Sequence, residues 1–146
     1  MTPHTYVLVH GAWHGGWCWA RVAGPLRRQG HRVLTPTLTG LGERCHLLSP
    51  RITLETFIQD IVHVLNFEDL SEVILVGHSF AGLVISGVAD RVPQRIRQLV
   101  YLDAFLMDPG KSVFDTLAPD LVARLRDAAA TTGALAIPRP ASLGLM

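Results

Sequence analysis

The sequence contains few charged residues and almost no excess of either sign. Charged residues make up 17% of the 146 positions, and 13 Lys and Arg against 12 Asp and Glu leave a formal charge of +1. No block of like charges is long enough to follow a phosphate backbone or to form an acidic tail. We therefore expect no nucleic acid partner.

Cysteine is scarce as well. Cys18 and Cys45 are the only two, and they lack the spacing of metal ligands. A disulfide framework and a cysteine zinc site are both excluded on this count. We expect two reduced, partly buried thiols.

The first residues carry no recognisable targeting segment. They lack the basic stretch of a secretory signal, and Gly11 cuts short the apolar run that begins at Tyr6. No run is long enough to span a bilayer. From these features we expect a cytoplasmic protein with no membrane partner.

Apolar residues, in contrast, are abundant. They make up 49% of the chain, and the mean hydropathy of +0.30 is too high for a disordered segment. A length of 146 residues fits one domain. Short apolar runs alternate with helical periodicity, which is typical of an α/β domain with a parallel sheet covered on both faces. The four predicted strands are Tyr6–His10, Arg32–Thr35, Val73–Val76 and Gln98–Leu102.

Helical periodicity is strongest between the second and third strands. There, apolar residues from Leu54 to Leu65 recur every three or four positions behind Thr53, a predicted N-cap. A long loop, Pro36–Arg51, precedes this helix, and loops of that length are usually functional or mobile. The other predicted helices are Trp19–Gln29, Phe80–Arg91 and one or two within Ser112–Ala130, broken near Pro119, before an irregular tail from Thr131.

The segment Val73-Ile-Leu-Val-Gly-His-Ser79-Phe-Ala-Gly82 contains a strand, a sharp turn of small residues, a serine and a helix. A nucleophile elbow requires this context, because the serine must project above the sheet from a strained turn. Ala81 stands where the pattern G-x-S-x-G has its last glycine, a departure of one methyl group. Ser79 is the candidate nucleophile, although a plain helix N-cap would have the same location. The Phe80 N–H, at the positive end of the helix, is a candidate oxyanion donor.

A glycine-rich turn, His10–Trp17, follows the first strand. It would present backbone N–H groups, and the Ala12 N–H is the candidate second oxyanion donor. Its glycines lack the spacing of a dinucleotide loop. His10 and His14 lie on a strand-to-loop segment, so they would not share a helical face as zinc-binding histidines do. We therefore expect neither a metal nor a cofactor.

Together, these two motifs and Tyr101-Leu-Asp-Ala-Phe105 resemble the α/β-hydrolase superfamily, in the branch of small esterases related to plant methyl esterases and hydroxynitrile lyases. The resemblance runs from residue 6 to about residue 120. It implies Ser79 as nucleophile, with the Ala12 and Phe80 N–H groups as the oxyanion hole. Residues 1–105 would form the sheet core, and residues 106–146 the start of a cap region and the tail. Gly11, His10 and His78 are candidate substrate-binding residues.

The resemblance also favours one reaction over another. The lyases of this group have threonine where Gly11 stands, and glutamate and cysteine where His78 and Phe80 flank the serine. This chain has the hydrolase residue at all three positions. The expected substrate is a small carboxylic ester rather than a cyanohydrin.

A histidine base is missing from its usual place. In these hydrolases the acid and the histidine follow the serine, whereas all seven histidines here precede Ser79. Asp103, at the end of the fourth strand, is an alternative acid, but an aspartate there also serves as a loop cap. Because the fold normally needs roughly 200 to 250 residues, we expect this sequence to be the N-terminal part of a hydrolase, ending within the cap.

Two hypotheses follow. The chain is a serine esterase that is complete only with its missing half, or it is an inactive fragment that serves as a binding or assembly module. In this superfamily further strands follow Gln98–Leu102 in space, so we expect the isolated chain to leave an exposed apolar edge, Leu99–Leu102, through which copies associate.

Overall fold

The computed structural model describes residues 2–131 and contains a four-stranded parallel sheet in the order β2-β1-β3-β4. All four predicted strands are confirmed, with shifted ends. The strands are β1 (Thr5–Val9), β2 (Arg32–Leu34), β3 (Val73–His78) and β4 (Ile96–Leu102). β4 begins two residues earlier than predicted because an outer strand tolerates exposed polar residues such as Arg97 and Gln98.

Four α-helices connect and follow the strands. They are α1 (Ala20–Arg28), α2 (Leu54–Phe67), α3 (Ala81–Arg91) and α4 (Pro119–Thr131). The predicted cap of α2 is confirmed, since the side chains of Thr53 and Thr56 each bind the other residue's backbone N–H. The predicted break near Pro119 is also confirmed, because a short 3₁₀ turn (Val113–Thr116) precedes α4. The predicted irregular tail lies almost wholly outside the described residues.

Helices cover both faces of the sheet, as the α/β pattern predicts. Alternate residues of β3 point in opposite directions, so Val73 and Leu75 pack with α2 and α3 while Ile74 and Val76 pack with α1. These four side chains are all buried. The sheet is therefore the middle of three layers.

The two cysteines are free, as expected. Cys18 is partly buried, and burial raises the pKa of its thiol. Cys45 is exposed, so the expectation of burial was wrong for this residue. Its loop runs over the surface of the described part of the chain.

All four strands are parallel, so their carboxyl ends lie along one edge of the sheet. Ligands of open α/β sheets bind at this edge. Ser79 follows β3 there, next to the turns that follow β1 and β4. None of the described helices has the length and hydropathy that a membrane span requires.

Candidate active site

Ser79 occupies a strained turn between β3 and α3. Its φ of 55° lies in the left-handed region, which a residue with a side chain rarely adopts. Neighbouring glycines make the turn sterically feasible. A Cβ on Gly77 would lie 2.8 Å from the Ala81 carbonyl oxygen, and one on Gly82 only 2.0 Å from the Phe105 carbonyl oxygen. Positions 77 and 82 therefore require glycine. Position 81 does not, since Ala81 fits there in a fully buried site.

The residues that end β4 hold this turn in place. The Ser79 N–H donates to the Leu102 carbonyl at 3.4 Å, and the Ser79 carbonyl accepts from the Phe105 N–H at 3.0 Å. The Gly82 N–H also donates to the Ser79 carbonyl, at 3.1 Å. Strained backbone persists only where the surroundings over-determine it. β4 is therefore part of the site, although it contributes backbone rather than side chains.

The glycine-rich loop, residues 10–17, lies directly against this turn. A Cβ on Gly11 would come within 3.0 Å of the Ser79 Cβ and 3.0 Å of the His78 Nδ1. Within the described part of the chain, neither the Ala12 N–H nor the Phe80 N–H has a hydrogen-bond partner. Both candidate oxyanion donors are therefore unpaired, and they belong to the two segments that meet at Ser79.

His10 orients the backbone of this loop. Its side chain is fully buried, its Nε2 accepts from the Leu38 N–H at 3.1 Å, and its Nδ1 consequently carries the proton and donates to the Gly11 carbonyl at 2.8 Å. Burial lowers the pKa of the imidazole. The candidate substrate contact of His10 is not supported, because both ring nitrogens are used and the side chain does not reach solvent.

A polar network behind the loop has no recognisable pattern in the sequence. The Thr37 hydroxyl accepts from the Gly16 N–H at 2.8 Å and donates to Glu43 at 2.6 Å, and this second bond lowers the pKa of the Glu43 carboxyl. Arg44 donates to the Thr37 carbonyl at 2.8 Å. The long loop Pro36–Arg51 therefore braces the glycine-rich loop. The unusual length of Pro36–Arg51 was the only signal in the sequence.

A comparison with known proteins identifies the family. The model of a family described as the alpha/beta hydrolase family matches residues 6–145. The chain belongs to the alpha/beta hydrolase family. A carbendazim hydrolyzing esterase from Nocardioides sp. (strain SG-4G) is 57% identical over 112 residues, which cover 77% of this chain and 46% of that protein. Methylesterase 9 of Arabidopsis thaliana is 38% identical over 114 residues, covering 75% of this chain and 44% of that protein.

A solved alpha/beta hydrolase shows the same relation in three dimensions. The extracellular alpha/beta-hydrolase from a Paenibacillus species superposes with a TM-score of 0.83 at 35% identity, covering 90% of this chain and 53% of that chain. This chain thus spans about half the length of the relatives it matches. The resemblance to the esterase branch and the hydrolase type of sheet are confirmed.

Histidines need particular attention in an alpha/beta hydrolase, because the triad histidine normally follows the nucleophile. Here all seven precede Ser79, and among residues 2–131 the Ser79 hydroxyl has no hydrogen-bond partner. His14 binds the Ala12 carbonyl through Nδ1 at 2.7 Å. The His78 ring makes a T-shaped contact with the Trp19 ring, with 6.4 Å between centroids. The described residues include no group of three side chains suited to a metal.

Asp103 lies where the sequence predicted, directly after β4. It is exposed and has a φ of 44°, so it also occupies a strained turn. No histidine of the described chain binds its carboxylate. Its role as an alternative acid therefore stays a prediction.

Proposed function

We propose that this chain forms the nucleophile-bearing half of an esterase that hydrolyses small carboxylic esters through an acyl-enzyme on Ser79. The observation that carries the proposal is the left-handed Ser79 at a strand-to-helix turn, flanked by two unpaired backbone N–H groups. The names of its relatives, a carbendazim hydrolyzing esterase and a methylesterase, support the same reaction class.

In the proposed reaction, the Ser79 Oγ attacks the ester carbonyl carbon and its proton passes to an imidazole from a part of the protein outside this sequence. The Ala12 and Phe80 N–H groups bind the resulting oxyanion. When the intermediate collapses, the carbon–oxygen bond to the alcohol breaks and the alcohol takes the proton. Water then hydrolyses the acyl-serine and releases the acid. The chemistry uses neither metal nor cofactor.

Gly11 is the residue that the family resemblance assigns to the hydrolases, where the lyases have threonine. A threonine at position 11 would bring its Cβ to 3.0 Å from the Ser79 Cβ, closer than ordinary van der Waals contact. Glycine at this position thus lets the loop backbone lie directly against the serine.

The decisive experiment supplies a base. The chain is fused to the C-terminal half of the Nocardioides esterase and assayed with an activated aryl ester, and Ser79→Ala is compared in the same fusion. We expect Ser79→Ala to lower kcat by about 10⁶-fold, as in other serine hydrolases that lose their nucleophile. Ser71→Ala, at an exposed serine, is the control and should be fully active. Full activity in the Ser79→Ala fusion would overturn the assignment.

A second measurement separates the esterase from an inactive binding module. The unfused chain is treated with an organophosphonate and its intact mass is recorded. Without a base we expect little labelling and only the residual ~10³ to 10⁴-fold catalysis over water that oxyanion donors and binding provide. Labelling of Ser79 in the fusion would support the esterase, whereas no labelling in either protein would favour the module.

A further inference from the structure

A second polar site lies at the opposite edge of the sheet from Ser79. An open cavity of about 520 Å³ is lined by Thr2, His4, Tyr6, His31 and Arg97. These residues precede or begin β1, β2 and β4, so the cavity lies at the amino ends of the strands. β1 and β4, of five and seven residues, separate this edge from the carboxyl ends by roughly 15–20 Å. The cavity is therefore independent of the candidate active site.

His31 presents a fixed N–H group to this cavity. Its side chain is only 7% exposed, and its Nδ1 accepts from the His4 N–H at 3.1 Å. The proton of the neutral ring consequently lies on Nε2, which has no partner among residues 2–131. The ring stacks on His4 at 5.7 Å and meets Tyr6 edge-on at 5.3 Å, so its orientation is held from two sides. The Nε2 nitrogen is not among the buried side-chain atoms that lack a partner, so it is accessible to a ligand in the open cavity.

Arg97 brings an uncompensated positive charge to the same cavity. Four other arginines of the described chain pair with carboxylates, namely Arg32, Arg44, Arg91 and Arg95. Arg97 has no ion pair or hydrogen bond there, and neither aspartate nor glutamate lines the cavity. Its guanidinium offers two parallel N–H donors, the geometry that fits two oxygens of one anion.

We propose that this cavity binds a small oxyanion, a phosphate or a carboxylate, between the Arg97 guanidinium and the His31 Nε2–H. Tyr6 and Thr2 also line the cavity, and each carries a hydroxyl that can donate a hydrogen bond. A cation would be repelled by Arg97, and a neutral ligand would leave its charge uncompensated. The site needs no residue of the proposed esterase reaction, so either proposal can fail without the other.

Equilibrium dialysis of the chain against labelled inorganic phosphate, and separately against labelled acetate, tests the site at constant ionic strength. We expect saturable binding at one site per chain, and the anion with the lower dissociation constant identifies which oxyanion chemistry the site prefers. Arg97→Gln should weaken binding about tenfold or more, since it removes a charged hydrogen-bond donor. Arg97→Lys should bind the anion more weakly than the unaltered chain but more tightly than Arg97→Gln, because it keeps the charge but loses the paired donors.

Arg28→Gln is the matched control, an exposed arginine that does not line the cavity. It should bind like the unaltered chain. If Arg28→Gln and Arg97→Gln weaken anion binding equally, binding depends only on the net charge of the chain, and the proposal is overturned. No saturable binding of either anion would also overturn the proposal. Circular dichroism of each variant confirms that Arg97, on an exposed strand position, is replaced without loss of fold.

Discussion

β3 and β4 are adjacent parallel strands of similarly apolar sequence, yet their surroundings differ. Five of the six residues of β3 are buried, whereas no residue of β4 is fully buried and its Leu102 is 48% exposed. β3 lies between two strands, and β4 has one strand neighbour among the described residues. Still, both strands build the site, because β3 leads into Ser79 and the end of β4 holds its backbone. The site thus depends on a strand whose outer edge has no strand partner among residues 2–131.

The largest expected effect concerns that open edge. We predict that the chain self-associates at tens of micromolar, because unpaired strand groups recruit other chains. Such an affinity corresponds to roughly 7 kcal/mol. Gln98→Lys with Leu102→Lys should shift the sedimentation profile toward monomer, since lysines on an edge oppose pairing.

Gln29→Lys adds a charge beyond the end of α1 and is the control. It should leave the association unchanged. A clean monomer from the unaltered chain, with cooperative unfolding, would show that β4 is already covered.

The next effect concerns the contact between the two strand ends. Gly82→Ala would place a methyl group 2.0 Å from the Phe105 carbonyl oxygen, and backbone would have to move. We expect a loss of about 3 kcal/mol in unfolding free energy, measured by urea denaturation. Gly24→Ala, which meets nothing closer than 3.5 Å in α1, should instead be neutral or slightly stabilising. Equal effects would mean that the β4 end does not hold the turn.

A smaller effect comes from His10, beneath the glycine-rich loop. Because burial lowers its pKa from 6.5, the unfolded chain binds the proton more readily. The contribution of His10 to the free energy of unfolding is therefore fully present above pH 6.5. It declines as the pH falls from 6.5 toward the lower pKa of the folded state. We expect a slope of up to about 1.4 kcal/mol per pH unit from this group. Denaturation between pH 5 and 8 measures it, and His10→Gln should flatten the profile; an unchanged profile would show that His10 does not contribute.

The smallest expected effect on the free energy of unfolding comes from backbone strain at Ser79, after the end of β3. Ser79→Gly should unfold with a free energy roughly 1 kcal/mol higher than Ser79→Ala, because glycine adopts φ of 55° without steric cost. The same pair of substitutions at Ser71, which lacks a positive φ, should show the opposite order. A glycine variant at position 79 no more stable than the alanine variant would mean that the turn is relaxed.

Much of the fold could be read from local pattern. The four strands, the α2 cap and the break before α4 depend on periodicity and on residues within a few positions of one another. The elbow was predictable for the same reason, since glycine, serine and a helix start are contiguous in the chain. The network of Thr37, Glu43 and Arg44 was not predictable, because hydrogen bonds across a long loop leave no periodic trace.

The sequence by itself therefore determined the succession of elements around Ser79: a buried strand, a tight turn and a helix. Tertiary structure decided which neighbours complete it. Whether His10 touches substrate or braces a loop depends on Leu38, which is 28 positions away in the chain, and whether an apolar strand is buried depends on what packs beside it. Local residues fix backbone conformation, but the partners of a side chain are fixed only when distant segments pack together.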